Sequence, residues 1–255
     1  VESDTRPERG VREANRRLRE LLAVVAHELC NPLAAIRYAL CVLEQQGDNA
    51  AARERFRNLV DRQTQSIGRL VEDLLDASRI EHGKIQLSKQ PVDLAQTAAD
   101  AVETARAAIE GRGHQLVVKL PAEPVCLYAD PARLEQVLTN LLNNAAKYTE
   151  PGGRIWLTAH VESGDVVLRV RDSGMGIAPE MLPHVFDPYW QAENMREHSQ
   201  GGLGIGLELV RKLVELHGGS ASAYSEGLGR GSEFVVHLPA HAEAANGDDT
   251  ELVPA

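Results

Sequence analysis

The chain is short of cysteine, of net positive charge and of long apolar runs, and each shortage narrows what it can be. Its three cysteines, Cys30, Cys41 and Cys126, lack the paired spacings that hold a metal. Their odd number leaves a thiol over, which favours a reducing, cytoplasmic setting. Against 37 acidic residues stand 27 lysines and arginines, for a net charge of −10. A general nucleic-acid surface needs clustered cations, so that class is excluded and any anionic ligand must be held by local groups. No apolar stretch reaches bilayer length and no signal-peptide pattern opens the chain, so this segment is expected to make no membrane contact. The start at Val1 rather than Met points to a piece of a longer protein, whose remainder is either membrane-anchored or soluble. With 255 residues there is room for one large or two modest domains.

Residues 1–10 carry Pro, Gly and mixed charge and read as a frayed start or linker. From Val11 the pattern turns helical, and Leu18, Leu22, Val25, Leu29, Pro32, Ile36, Ala39 and Leu43 follow one another at alternating spacings of four and three. That is a heptad seam. Within it lies AHELCNPL, Ala26 to Leu33, which sets Asn31 one turn from His27 on the same face and Glu28 three residues from Asn31. His27 points about 200° away from Val25 at 100° per residue, toward solvent. Pro32 removes the hydrogen bond to Glu28, so a bend is expected beside the histidine. An exposed helical histidine next to an incidental kink explains these letters equally well. A polar turn at Gln45 to Asn49 leads to a second seam of Phe56, Val60, Gln63, Ile67, Leu70, Leu74 and Ala77, ending near His82 and Gly83. Such a hairpin leaves apolar surface uncovered, and pairing two hairpins into a four-helix bundle buries it, so a homodimer is expected. Packing on the chain's own downstream domain is the competing solution.

Beyond residue 84 the period changes. Lys84 to Lys89 alternates like an edge strand that Pro91 interrupts, and an Ala-rich helix runs to Glu110 behind the cap Asp93. Gln115 to Leu120 and Val125 to Tyr128 read as short strands, while Arg154 to Val161 and Asp165 to Arg171 read as a hairpin turned at Ser163 and Gly164. Ala221 to Ser225 and Glu233 to Leu238 form another pair across a turn of Gly229, Arg230 and Gly231. Strands, helices and hairpins so mixed indicate an α/β sandwich with a mixed sheet. Asp130 and Pro131 start a helix in the preferred way. Its stripe of Leu134, Val137, Leu138, Leu141 and Ala145 is core, whereas Gln136, Asn140, Asn144 and Lys147 form a polar line suited to hydrated Mg²⁺ and phosphate oxygens. An ordinary solvated face has the same composition. Asp172 ends a strand and opens DSGMGI, where a carboxylate can accept from the amino group of a flat ligand and Gly174 and Gly176 permit close approach. A tight turn would use the same residues. Gly202, Gly204 and Gly206 in GGLGIGLELV feed a helix start, whose free N–H groups suit phosphate. Pro188 to Gly201 is polar and reads as a lid.

In this order the segments resemble a sensor histidine kinase of two-component systems over about residues 15 to 240. AHELCNPL resembles the phosphoacceptor box, NLLNNAAKYT the N box, DSGMGI the first glycine box, FDPYW the F box, GGLGIGL the second glycine box and GRGS the third. The resemblance implies an α+β protein: a helical hairpin over residues 11–84 forming a dimeric four-helix bundle, then a Bergerat-type α/β sandwich over 85–240, and a disordered tail or linker over 241–255. It implies that His27 accepts the γ-phosphoryl group of ATP, that Glu28 orients the ring and takes its proton, and that Asn31 joins Glu28 in removing phosphate from a receiver. An imidazole attacks best in its neutral form. Asn140 and Asn144 would hold Mg²⁺, with Lys147 and Tyr148 nearby; Asp172, Gly174 and Gly176 would form the adenine pocket; Gly202, Leu203, Gly204 and Gly206 would cradle the phosphates. The implied partners are a second copy of the chain, a response-regulator receiver domain and an N-terminal sensory input domain outside this chain. Two positions depart from the family: Cys30 and Gln191 stand where basic residues are frequent. A related ATPase that never phosphorylates itself would lack the acceptor box, and a degenerate dimeric scaffold would have lost metal or glycine positions. Neither loss is found.

Overall fold

The computed structural model of the chain describes residues 6–46, 50–81, 83–188 and 204–240. Two compact units divide at Lys84 and Ile85, with Pro188 and residues 204–206 grouped with the first.

The first unit is a hairpin of α1 (Arg6–Gln46) and α2 (Ala50–Glu81). The helix begins at Arg6, so the frayed start expected over residues 1–10 is helical in its second half; Pro7 in the first turn costs no hydrogen bond there. It also continues through Pro32, which is buried. The heptad spacing tells which side is inward. Val25, Leu29, Ile36 and Leu43 on α1 and Phe56, Val60, Gln63, Ile67, Leu70 and Leu74 on α2 are half-buried, and Ala39 is fully buried. The side chains of Leu18, Leu22 and Ala77 lie outside the described ones, as do His82, Gly47 and the middle of the turn. α2 ends in a Schellman cap: Gly83 has φ 61°, its N–H donates to the Ile80 carbonyl at 3.0 Å, and the Lys84 N–H donates to Arg79 at 2.8 Å.

The second unit is a mixed α/β sandwich. Its first strand is β1 (Gln90–Asp93), not the Lys84 to Lys89 stretch that alternates in sequence. β1 pairs antiparallel with β3 (Cys126–Ala129), Pro91 opposite Tyr128. The Leu94 N–H bonds the Val125 carbonyl, so bonded pairs fall at alternate residues and Pro91 sits at a non-bonded pair, where its missing N–H costs nothing. α3 (Leu94–Glu110) follows behind the Asp93 cap, whose carboxylate accepts from Ala95 N–H at 2.8 Å. β2 (Gln115–Lys119) belongs to the other sheet and runs parallel to β4 (Arg154–Glu162). α4 (Pro131–Tyr148) lies between β3 and β4 in sequence, with Asp130 capping Arg133 N–H. β4 and β5 (Asp165–Asp172) form the expected hairpin, with φ of 54° at Ser163 and 88° at Gly164, the signs of a type I′ turn. A 3₁₀ turn at Leu182–His184 precedes α5 (Gly206–Leu216), β6 (Ser220–Tyr224) and β7 (Glu233–Pro239). The five-stranded order is β2-β4-β5-β7-β6. One face carries Ile155 and Leu157, Val166, Leu168 and Val170, and Phe234, Val236 and Leu238, all buried, and the buried stripes of α3, α4 and α5 complete the core.

Candidate nucleotide and phosphoacceptor sites

Period two decides where Asp172 points. It is the last residue of β5 and continues the inward set Val166, Leu168 and Val170, so its carboxylate enters the sandwich and is 3% exposed. Burial pushes that carboxyl above its ordinary value, while hydrogen bonds from Ser232 and Gly174 act in the opposite direction. Gly174 N–H donates to Oδ1 at 2.7 Å, Ser232 N–H to the same oxygen at 3.3 Å, and the Ser232 hydroxyl to Oδ2. Three donors from two residues therefore orient a carboxylate whose main opponent is desolvation, and an ionised carboxylate keeps lone pairs for a further donor.

The glycine turn beside it is held just as closely. Gly174 lies so near the Tyr148 carbonyl that a Cβ would collide with it, and Met175 N–H donates to that carbonyl at 3.1 Å. Gly176 has φ 70° and faces the Gly227 carbonyl at a distance that admits no side chain. Ser225 ties the turns together: its hydroxyl accepts from Ile177 N–H at 3.0 Å and donates to the Gly231 carbonyl at 2.7 Å.

α4 brings the polar line to this place. At its C-terminal end Lys147 and Tyr148 are half-buried, with the ammonium 4.8 Å from the Tyr148 ring centroid. Asn140 and Asn144 are half-buried, and the Asn140 amide nitrogen has no protein partner. Gln136, a turn earlier, accepts from Arg133 at 2.7 Å. The structure thus brings together Asp172, Gly174, Gly176, Tyr148 and Lys147 through the Tyr148–Met175 hydrogen bond. Gly204 has φ 71° and Gly206 opens α5, while Gly202 and Leu203 lie outside the described residues. The lid stretch from residue 189, with Tyr189 and Trp190 of the F box and Gln191 after it, also lies outside them. Phe186 of that box is core, edge-on to Phe234 at 6.2 Å.

In the first unit His27 is exposed on α1, Glu28 is half-buried and Asn31 exposed. All three cysteines are exposed and free.

Ser232 and Ser225 carry no role in the sequence reading although both grip the site. Ser232 is the last letter of GRGS, and the pairing of Arg171 with Glu233 sets it beside Asp172. A hydroxyl next to a turn was the visible signal; the partner across sixty residues was not.

This geometry has relatives. Residues 17–83 match the family described as His Kinase A (phospho-acceptor) domain, and residues 129–242 match the Histidine kinase-, DNA gyrase B-, and HSP90-like ATPase family. The probable sensor histidine kinase TcrY of Mycobacterium tuberculosis is 38% identical over 87% of this chain and 46% of its own length. The adaptive-response sensory kinase SasA of Thermosynechococcus vestitus is 34% identical over 87% of this chain and 60% of its own. The chain thus spans less than two thirds of these relatives. Among solved structures, full-length ShkA in complex with AMPPNP superposes with TM-score 0.60 at 27% identity, covering 87% of this chain and 45% of that one. The Acinetobacter baumannii histidine kinase AdeS shares the fold at TM-score 0.59 and 22% identity, over 85% of this chain and 98% of that one. With both family domains in order and relatives of one kind, the chain belongs to the sensor histidine kinases of two-component systems.

Proposed function

We propose that this chain is the autophosphorylating part of a protein-histidine kinase that binds ATP in its second unit and takes the γ-phosphoryl group on His27. The observation that carries the reading is the buried Asp172 carboxylate, whose desolvation outweighs its hydrogen bonds, in the same chain as an exposed imidazole with an acidic neighbour. A fold has no reason to keep such a carboxylate for stability, whereas a ligand with an exocyclic amino group supplies what it lacks.

In the transfer, an imidazole nitrogen of His27 bonds to the γ-phosphorus, the bond from that phosphorus to the bridging oxygen breaks, and ADP leaves. The ring proton passes to Glu28. Asp172 reads the adenine amino group beside Gly174 and Gly176, Lys147 and Tyr148 lie toward the phosphates, and Gly202, Leu203, Gly204 and Gly206 line them. Asn140 and Asn144 offer hard amide oxygens for Mg²⁺. The metal would neutralise phosphate charge when bound. Among the described residues no group of three acidic, histidine or cysteine side chains could hold a cation alone, which fits an ion that arrives with the nucleotide.

The phosphoryl group then passes to an aspartate of a receiver domain: the P–N bond breaks as a carboxylate oxygen bonds phosphorus. Exposed Asn31, a turn from His27, supports a second activity with Glu28 in hydrolysing the receiver's phosphoaspartate. Apolar residues left exposed on the hairpin support a homodimer, and an upstream sensory domain would supply the stimulus. No described helix is long and apolar enough to cross a membrane.

The test is incubation with γ-labelled ATP and Mg²⁺. Acid-labile label on the chain and none on His27→Gln is the expected result. Label persisting in that variant would overturn the assignment of His27, and ATP hydrolysis without any label would favour a plain ATPase.

A further inference from the structure

The last four carbonyls of an α-helix have no partner inside it, and how they are satisfied decides how firmly that end is held. In α4 each one is taken. Ala145 accepts from Thr149 N–H at 3.1 Å and Tyr148 from Met175 N–H at 3.1 Å. The two between them are taken by side chains of the turn joining α3 to β2. Arg112 Nη1 donates to the Ala146 carbonyl at 3.1 Å and to the Lys147 carbonyl at 2.5 Å, and His114 Nε2 lies 3.0 Å from the Ala146 carbonyl. A carbonyl only accepts, so His114 presents Nε2–H there. No glycine follows the helix to wrap these carbonyls; Thr149 is extended. Arg112 is itself fixed, because its carbonyl accepts from Gly152 N–H at 3.0 Å. Its half-buried guanidinium also places positive charge where the helix dipole is negative.

We infer that Arg112 is a positioning residue for the nucleotide site: it holds the final turn of α4 so that Lys147 meets the phosphates. The inference rests on the proposed role of Lys147 near the phosphates. The contact is direct, from Arg112 to the Lys147 carbonyl, while the next carbonyl, of Tyr148, has its own donor in Met175 N–H. Arg112 touches no reacting atom. What it controls is where the ammonium one peptide away can sit.

An indirect role of this kind separates from mere loss of stability by ligand. Positioning Lys147 matters to a ligand with phosphates and hardly to one without, so affinities for Mg·ATP and for adenosine should part. In the full chain, Arg112→Ala is expected to weaken ATP by roughly five- to tenfold, the scale of one ordinary hydrogen bond, and to leave adenosine unchanged. Lys147→Ala should do the same, and the double variant should be no weaker than Lys147→Ala alone, because Arg112 acts through Lys147. If Arg112→Ala does not fold at the assay temperature, Arg112→Gln, which keeps one donor, enters the same cycle. Equal losses for ATP and adenosine, or additive losses in the double variant, would overturn the inference. An effect of Lys147→Ala with none from Arg112→Ala overturns it while leaving Lys147 in its role; no effect of Lys147→Ala removes that role and the inference with it.

Discussion

The two units solve the burial problem differently. The α/β unit closes on itself: three helices and a five-stranded sheet bury leucines, valines and isoleucines to a few per cent exposure. The hairpin does not. Among its described residues Ala39 is the buried apolar side chain besides Pro32, while Leu33, Tyr38, Leu40, Val71 and Leu75 are 44–69% exposed. Leu33 and Leu40 lie seven apart and Val71 and Leu75 four apart, so each helix presents a second apolar stripe beside its seam. Two helices have one mutual contact line, and a stripe off that line needs another body. A unit complete in itself suits a ligand site, and an incomplete one suits assembly.

The largest expected effect breaks that contrast at the hairpin. Leu33→Glu with Leu75→Glu should raise the dissociation constant of the proposed dimer by roughly a thousandfold or more, since each buried leucine contributes about 1.5–3 kcal/mol and four are lost per dimer. Sedimentation over a concentration series reads it, and nucleotide affinity should stay as it was. A dimer that survives both charges would place its interface elsewhere.

Next comes Asp172→Asn. It is expected to weaken ATP by about fiftyfold through loss of a charge-assisted hydrogen bond, yet to raise the melting temperature without ligand. The sign follows from burial. A carboxyl whose folded pKa is raised above 3.8 contributes stability that is present below 3.8 and lost as pH rises through the folded value, so at neutral pH the ionised group costs stability. A lower melting temperature in Asp172→Asn at pH 7 would contradict this.

A smaller effect belongs to the hairpin's end. Gly83→Ala puts a Cβ on a residue at φ 61° and should cost about 1 kcal/mol, visible as a drop of roughly 2–4 °C in melting temperature. The smallest is a pH effect in the α/β unit. His217 is buried, its Nδ1 2.7 Å from the Leu213 carbonyl and its Nε2 accepting from Asp130 N–H at 3.0 Å. Burial lowers its pKa below 6.5, against a raising hydrogen bond to Leu213. The unfolded chain therefore binds the proton first, and stability should fall as pH drops from 6.5 toward the folded value. His217→Gln should flatten that slope in melts taken across the window; an unchanged slope assigns it to another group.

Much of this was legible from residue order. Heptad spacing marked the inward sides of α1 and α2, Asp93 and Asp130 marked helix starts, and Ser163 with Gly164 marked a hairpin, because each signal is local and repeats at a fixed period. Alternation misled at Lys84 to Lys89, which pairs with no strand among the described residues, and Pro91 hid β1, since a proline is harmless at a non-bonded pair and sequence does not state the register.

The sequence by itself determined the helical seams, the outward His27, the inward parity that buries Asp172 and the order of boxes that places the chain in its family. Only the tertiary structure decided that Ser232 grips Asp172 and that Arg112 ends α4, because those partners are tens of residues apart and meet through strand pairing and turn geometry. Local periodicity records which way a side chain faces; which group it meets there depends on register between distant segments.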